Sequence, residues 1–324
     1  MGELARRLLG IDPRETGATR RGFSAGVPET RRRLEKIGET FLAGYHSALS
    51  HGGGVELFSA LQDREPDERG FAYEGAAMAL GLLDALTPWS SSRWRRFHDE
   101  HARHQTYLMH VGLGWAVART KRVLSAPSQH LDPMNRWLVL DGRGFHDRFF
   151  ARREARTARG LSGAELRTTG HAYDAGIGRG LWFVHGGDVR GLRGGVESFE
   201  AQRRDELWSG IGLAAAYAGG VGESTLRELT RAAGDRRSCL AQGAAFAAKA
   251  RVLAEEPGVS AALACRVFAN CTLEEASHAT DLARDEALAD LPSAGAANAY
   301  ADWRSRTRRR LAPRGVEPSL MVAL

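Results

Sequence analysis

Four histidines near residue 100 have a spacing suited to metal ligands. His98, His101 and His104 form the pattern H-x-x-H-x-x-H, and His110 follows six residues later. On a helix, side chains three residues apart share one face, so two or three of these imidazoles can converge on a transition metal. Arginines surround the first three histidines, and this composition also fits an exposed helix start that binds no metal.

Other patterns of reactive residues are less specific. Glu275-Ala-Ser-His278 has the E-x-x-H spacing that diiron helices use in pairs, but no second copy occurs, and Thr272 with Glu275 predicts a capping box at a helix start. The three cysteines form no C-x-x-C pair, which argues for a reducing compartment and against a disulfide framework or a Cys-based zinc site. The chain contains no nucleotide-binding glycine loop and no G-x-S-x-G nucleophile motif. Histidines in apolar stretches can serve as acid/base groups or haem ligands.

The composition is that of an ordinary globular chain. Of 324 residues, 43% are hydrophobic and 26% are charged, which excludes wholesale disorder. Only three of the 45 basic residues are Lys, so the net charge of +6 is an effect of arginine. Because such a bias often reflects genome base composition, we expect no nucleic-acid partner. No stretch is suited to a membrane span or a signal peptide, and we expect a cytoplasmic protein.

One short pattern recurs along the chain, a Gly followed three residues later by a large apolar residue. The copies are 30 to 37 residues apart, and stretches with helical periodicity follow several of them. A period of this length holds two helices and two turns. A Gly repeated at one register of a helix indicates close approach of a neighbouring helix, where a Cβ would clash. The seven copies begin at Gly38, Gly75, Gly112, Gly142, Gly178, Gly210 and Gly243.

The repeat predicts an all-α fold, namely a tetratricopeptide-like helical-repeat array of about seven helix hairpins. The alternative is an irregular, Gly-rich helical bundle. We expect an N-terminal arm at residues 1–33, the helical-repeat domain at 34–291, and a C-terminal helix and tail at 292–324, with a linker at 292–299. The arginines from Arg304 to Arg310 are expected to form a solvated helix end.

The repeat register also predicts an apolar concave face. Such a face either closes on itself or binds an apolar ligand. Glu74 and Asp141 precede repeat glycines, at positions expected to be buried, so they are candidates for a shifted pKa or for pairing with an arginine such as Arg69 or Arg143. The predicted ligand channel contains Met78, Met109, Leu113, Trp115, Trp182, Leu207, Ile211 and Phe246.

Six strings of the sequence resemble a known bacterial family, the uncharacterised UnbL-type proteins encoded in enediyne polyketide gene cassettes. The resemblance extends from about Gly22 to Trp303. It implies a role in natural-product biosynthesis, at the stage where a polyketide polyene becomes the enediyne core. The strings are GFAYEGAAMALGLLDALTPW (70–89), HVGLGWAVAR (110–119), LDGRGFHDRFF (140–150), GIGRGLWFVHGGD (176–188), DELWSGIGLAAAYAGG (205–220) and LAQGAAFAAKAR (240–251).

The resemblance implies no established reaction or catalytic residue. We expect a protein that acts on, or binds, the polyketide-derived polyene or polyyne through its apolar channel. The candidate acid/base groups are Glu74, His110, Asp141 and His146, and the candidate metal ligands are His104 and His110, histidines that lie in or beside these strings. The cofactor is unknown, and iron and haem remain open. The alternative is a non-catalytic protein that shields the intermediate or assembles other cassette proteins.

Overall fold

The fold is helical throughout the part of the chain that the structure describes. The computed structural model describes residues 2–23, 26–87, 92–120, 131–150, 163–291 and 296–312, and no β-strand occurs in these ranges, so the all-α prediction is confirmed. No helix among them has the length and apolar character to cross a membrane. Part of the predicted linker (292–295) and the predicted tail beyond 312 lie outside the described residues.

The helices have the following bounds: α1 (Gly2–Leu9), α2 (Ala18–Arg21), α3 (Pro28–His51), α4 (Val55–Gln62), α5 (Arg69–Leu86), α6 (Arg93–His101), α7 (Thr106–Thr120), α8 (Leu138–Phe150), α9 (Gly163–His185), α10 (Val189–Glu197), α11 (Arg204–Tyr217), α12 (Glu223–Ala233), α13 (Arg237–Ala254), α14 (Val259–Ala269), α15 (Leu273–Ala289) and α16 (Ala296–Arg310).

Seven long helices pack side by side in chain order, and we call them the crossing helices: α3, α5, α7, α8, α9, α11 and α13. Where α7 meets α8, the two backbones touch. A Cβ on Gly142 would lie 1.9 Å from the carbonyl oxygen of Val111, and a Cβ on Gly114 would lie 2.2 Å from that of Val139. No real Cβ tolerates such distances, so only glycine permits this approach. The same reciprocal contact recurs at the next three crossings, with the pairs Gly144 and Gly176, Gly178 and Gly210, and Gly212 and Gly243.

Five of the seven predicted glycines share one structural position, the residue that contacts the preceding crossing helix. They are Gly75, Gly112, Gly142, Gly210 and Gly243.

The other two glycines of the predicted repeat were assigned to the wrong position. In α9 the equivalent residue is Gly176, and Gly178 contacts the following helix instead. In α3 the equivalent residue is Leu42, because the carbonyl of the residue before it faces Gly75. Gly38 lies one turn earlier and packs against the side chain of Thr16, where an added Cβ would lie only 3.0 Å from the Cβ of Thr16. Both glycines are closely packed, but against other partners.

The row of crossing helices curves so that the start of α3 and the segment before α5 contact α13 and the end of α11. Thr30, near the start of α3, donates a hydrogen bond of 2.6 Å to the carbonyl of Gly220, just after α11. Arg251 of α13 donates to the carbonyls of Asp67 and Tyr217 at 2.9 and 3.0 Å. These bonds satisfy buried polar groups where the two ends of the row meet.

Because α3 begins at Pro28, the predicted domain boundary between residues 33 and 34 lies inside this helix.

The C-terminal helix α16 is anchored in the protein, contrary to the expectation of a solvated arginine run. Arg304 is buried, and its Nε donates to Glu206 Oε2 at 2.9 Å, while Nη2 donates to Ser209 at 3.0 Å. Trp303 donates its indole N–H to the carbonyl of Thr280. A buried guanidinium needs such partners. Only the end of the run, Arg309 and Arg310, is exposed as expected.

The predicted capping box is confirmed at the start of α15. The Thr272 side chain accepts from the Glu275 backbone N–H, and the Glu275 side chain accepts from the Thr272 backbone N–H. His278 lies one turn later on the exposed side of this helix.

We expect Gly142→Ala to lower the free energy of unfolding by about 3 kcal/mol, because the new Cβ overlaps a backbone carbonyl that has no room to move. The matched control is Gly194→Ala in α10, where a Cβ meets nothing within 4 Å. That replacement should raise stability by up to about 1 kcal/mol through helix propensity. Urea denaturation measures both. Equal stability of the two variants would contradict the crossing geometry.

Candidate functional site

Four side chains from four crossing helices form a buried charged cluster, which we call the ion cluster: Glu74 of α5, Trp115 of α7, Asp141 of α8 and Arg179 of α9. Arg179 Nη1 lies 2.5 Å from Asp141 Oδ1, and Nη2 lies 3.6 Å from Glu74 Oε2. Trp115 donates its indole N–H to Glu74 Oε1 at 3.0 Å. The three charged residues are 1%, 2% and 4% exposed for Glu74, Asp141 and Arg179. One buried guanidinium therefore lies beside two buried carboxyl groups.

The positions of these residues beside the helix crossings explain why their side chains are buried. Glu74 and Asp141 each precede a crossing glycine, and the carbonyl of each lies against the glycine of the next helix. Arg179 directly follows Gly178, at the crossing of α9 and α11. The sequence predicted that both carboxylates are buried, which the structure confirms. It left open whether they have a shifted pKa or pair with an arginine, and in the structure both lie beside Arg179.

The partner of the two carboxylates differs from the arginines suggested by the sequence. It is Arg179 in place of Arg69 or Arg143. Arg69 donates to the carbonyl of Gln62, and Arg143 lies 3.8 Å from Asp147. The reason is that the crossing brings α9 over both carboxylates, whereas Arg69 and Arg143 lie on other faces of the helices that carry the acids.

The ion cluster holds a titratable proton near neutral pH. Burial, opposed by the charge of Arg179 and reinforced by the neighbouring Asp141, raises the pKa of Glu74 to about 7. Its Oε1 accepts from Trp115, but its Oε2 is buried without a hydrogen bond. At neutral pH this carboxyl is therefore partly protonated, and its Oε2, which lies 3.6 Å from Arg179 Nη2 and makes no hydrogen bond, is the oxygen left to donate or accept a proton.

A cavity lies beside Glu74, and we call it the aromatic cavity. It is partly open to solvent, and its lining is almost entirely apolar. Glu74 and Met78 line it, together with eight aromatic side chains from five helices and the N-terminal arm. These are Phe23, Phe41, Phe71, Trp115, Phe145, Phe149, Phe150 and Phe183. The walls suit a flat apolar ligand.

The N-terminal segment covers the aromatic cavity. Arm residues from Ile11 to Phe23 supply part of its lining. The Arg21 guanidinium lies 4.2 Å above the ring of Phe150, and the ring of Phe23 meets that of Phe149 edge-on at 5.2 Å. The backbone N–H of Ala18 donates to Glu35 of α3 at 3.0 Å. The arm is therefore part of the site, which the sequence did not indicate.

The predicted channel residues divide between the cavities and the core. Met78 and Trp115 line the aromatic cavity. Phe246 lines a second cavity, also partly open to solvent, to which Asp141 and Arg179 contribute. Leu213, at its mouth, was not among the predicted channel residues. The remaining five predicted residues line neither cavity. Leu113 is half-buried and packs against the hydrophobic interior, in which the other four are buried: Met109, Trp182, Leu207 and Ile211.

His146 is the candidate histidine that lies nearest to the aromatic cavity. Its ring packs against Trp115 and Phe150, with centroids 5.6 and 4.7 Å away, and its Nδ1 lies 3.2 Å from Asp147 Oδ1. It therefore packs against Trp115 and Phe150, two residues that line the cavity.

His110 and His104 lie away from the ion cluster, and no contact between the two is present. His110 Nδ1 donates to the carbonyl of Thr106 at 2.7 Å, and burial lowers the pKa of His110 to about 4, so this imidazole is neutral and its Nε2 keeps an unused lone pair. His104 is half-buried, edge-on to Tyr73, and burial lowers its pKa. Within the described ranges, no group of three or more His, Cys, Asp or Glu side chains is arranged to hold a metal ion.

The chain belongs to the family described as a protein of unknown function (DUF1702), whose model matches residues 1–311. No curated protein and no solved structure matches it. The family match covers the arm, all the crossing helices and α16, so the site described above lies wholly within it.

We expect Glu74→Gln to change how stability depends on pH. Between pH 4.5 and about 7 the folded protein retains a proton on Glu74 that the unfolded chain releases, so this group makes wild-type stability fall as pH rises. The glutamine has no such proton. The stability of Glu74→Gln relative to wild type should therefore increase by about 2 kcal/mol from pH 5 to pH 8. Urea denaturation at both pH values tests this, with the exposed Glu197→Gln as control. A difference that is constant with pH would refute a raised pKa.

Proposed function

We propose that this protein binds a long, flat, polyketide-derived polyene or polyyne in the aromatic cavity and acts on it during maturation of an enediyne core. One observation carries the proposal: a cavity walled by eight aromatic side chains has a single fully buried carboxyl, Glu74, in its lining. The biosynthetic setting is supported by the resemblance of six strings to proteins of enediyne gene cassettes. A cytoplasmic location is part of the same proposal.

The ligand class follows from the walls. A conjugated chain offers flat faces that stack on aromatic rings, and each Å² of apolar surface removed from water contributes about 25 cal/mol. Charged side chains near the cavity are concentrated at the arm, where Arg21 pairs with Glu15 at 2.8 Å and Arg31 with Glu35 at 3.2 Å. The interior is therefore suited to hydrocarbon, and the arm side is suited to a polar end of the ligand.

The proposed chemistry is general acid–base catalysis by Glu74. A carboxyl whose pKa is near 7 exchanges a proton at physiological pH, and Oε2, which makes no hydrogen bond but lies 3.6 Å from Arg179 Nη2, is the atom assigned to this exchange. Trp115 orients Oε1, and Arg179 limits how far burial raises the pKa. Asp141 acts by holding Arg179, and His146 by supporting Trp115. His110, a candidate in the sequence, has no contact with this group.

A second candidate function is non-catalytic, namely shielding of a reactive intermediate or assembly of other cassette proteins. The arm over the cavity favours shielding. A groove between α1, α3, α5 and α6 favours assembly, since it exposes Leu8 and Leu86 beside Arg96. Single exposed apolar residues are common, but two in one groove fit a protein partner.

We propose also that the crossing helices are the repeated units of a tetratricopeptide-like array of about seven hairpins. The equal placement of the crossing glycines supports this. Five crossing helices are followed by a shorter helix, namely α4, α6, α10, α12 and α14. The segments after α7 and α8 (121–130 and 151–162) lie outside the described residues.

We expect the wild-type protein to bind diphenylhexatriene, an uncharged conjugated polyene whose fluorescence rises in apolar sites. Leu34→Trp, which fills the aromatic cavity from its α3 wall, should weaken that binding by about tenfold or more. Leu213→Trp, on the second cavity, is the matched control and should leave the affinity of the site that Leu34→Trp blocks within about twofold, even if polyene bound in the second cavity is lost. Fluorescence titration with a circular dichroism check of folding gives the answer. Unchanged affinity in folded Leu34→Trp would remove the aromatic cavity from the proposal.

Glu74→Gln separates the catalytic from the non-catalytic candidate. Glutamine keeps the size of the side chain and the acceptor for Trp115, but it cannot exchange a proton. We expect the variant to bind diphenylhexatriene like wild type, whereas a producing strain that carries it should lose the enediyne product. Full product titre with intact polyene binding would favour the shielding function. Product loss in Glu197→Gln as well would show a nonspecific effect.

A further inference from the structure

The second cavity is a distinct chamber formed by α7, α8, α9, α11, α13 and α16. Its deep wall is buried and includes Val111, Tyr217 and Trp303. Its mouth is formed by half-buried side chains, namely Tyr107, Leu138, Leu213, Phe246 and Lys249. The chamber is therefore open at one side and closed at the other.

The helix crossings and the ion cluster separate this chamber from the aromatic cavity. On α7, Val111 lines the second cavity and Trp115, one turn later, lines the aromatic cavity. On α8, Asp141 lines the second cavity and Phe145, one turn later, lines the aromatic cavity. Between the members of each pair lie the glycines at which the helix backbones touch.

The ion cluster has one face on each cavity. Glu74 lines the aromatic cavity, whereas Asp141 and Arg179 line the second one. Since Arg179 bridges both carboxylates, its guanidinium stands between the chambers. The two cavities are thus on opposite sides of a charged partition.

The charges at the second cavity are already neutralised within the protein. Asp141 pairs with Arg179 at 2.5 Å, and Lys249 pairs with Asp281 at 2.7 Å. A charged ligand would have to break one of these pairs and leave a buried charge unpaired, which is strongly unfavourable. The remaining lining is apolar or aromatic, with Tyr107, Tyr217, Phe246 and Trp303 as the rings. The chemistry selects an uncharged, planar, apolar group.

We infer that the second cavity is a separate binding site for an uncharged aromatic or conjugated group, independent of the aromatic cavity. This inference goes beyond the proposed function and does not require it. The two sites differ in one respect that matters for a ligand: the aromatic cavity has a partly protonated carboxyl in its lining, whereas the charged side chains that line the second cavity are all closed in ion pairs. The second site therefore holds its ligand by shape and apolar contact, without proton exchange.

Titration with N-phenylnaphthylamine tests this site, because the probe is uncharged and planar and its fluorescence rises in apolar surroundings. We expect wild type to bind two equivalents. Leu213→Trp at the mouth of the second cavity and Leu34→Trp in the aromatic cavity should each bind one, and the double variant none. Leu138→Trp, also at the mouth, should repeat the Leu213→Trp result if that variant folds poorly by circular dichroism.

The measured stoichiometries distinguish the two sites. One equivalent in wild type that Leu213→Trp abolishes and Leu34→Trp leaves intact would support the second site and refute binding in the aromatic cavity. One equivalent that Leu34→Trp abolishes, with both mouth variants unchanged, would overturn the present inference and leave the proposed function standing. No saturable binding in wild type would overturn both.

Discussion

Contact between helix backbones at glycine is the constraint on which the rest of this structure depends. At each central crossing, a carbonyl of one helix occupies the place where the next helix would carry a Cβ. Helices that approach so closely leave little room between them for side chains, so the residues around each crossing are forced deep into the protein. This is why Glu74 and Asp141, each adjacent to a crossing glycine, are almost fully buried although both are acidic.

The burial of two acids requires a compensating charge, and within the described part of the chain Arg179 is the cation paired with both. One cation between two carboxyl groups leaves an excess of acid, and a proton held by Glu74 resolves the imbalance at neutral pH. The same residues separate two apolar chambers. The proposed chemistry and the proposed ligand sites thus have one origin: close helix packing creates a buried acid, and the curl of the helices surrounds it with hydrocarbon.

Local patterns in the sequence predicted the helical fold, five crossing glycines and the two buried carboxylates. They failed where the structure depends on contacts between distant segments. Arg179 is about one hundred residues from Glu74, and nothing near either residue indicates their pairing. Gly38 fitted the repeat pattern, but it packs against Thr16 of the N-terminal arm instead of a neighbouring crossing helix. In α9, glycines alternate at 176, 178 and 180, so the sequence did not show which of them lies at the crossing. The arm itself carries no periodic signal, although it completes the aromatic cavity.

A nuclear magnetic resonance titration of the Glu74 carboxyl is the most direct test of the central claim. Protein labelled at the side-chain carboxyl carbon of glutamate would be titrated with and without diphenylhexatriene, and Glu74→Gln would assign the resonance. The account predicts a carboxyl that titrates near pH 7 in the free protein and whose pKa rises further when the polyene excludes water from the cavity. A Glu74 resonance that titrates near 4.5 and does not respond to the polyene would contradict it.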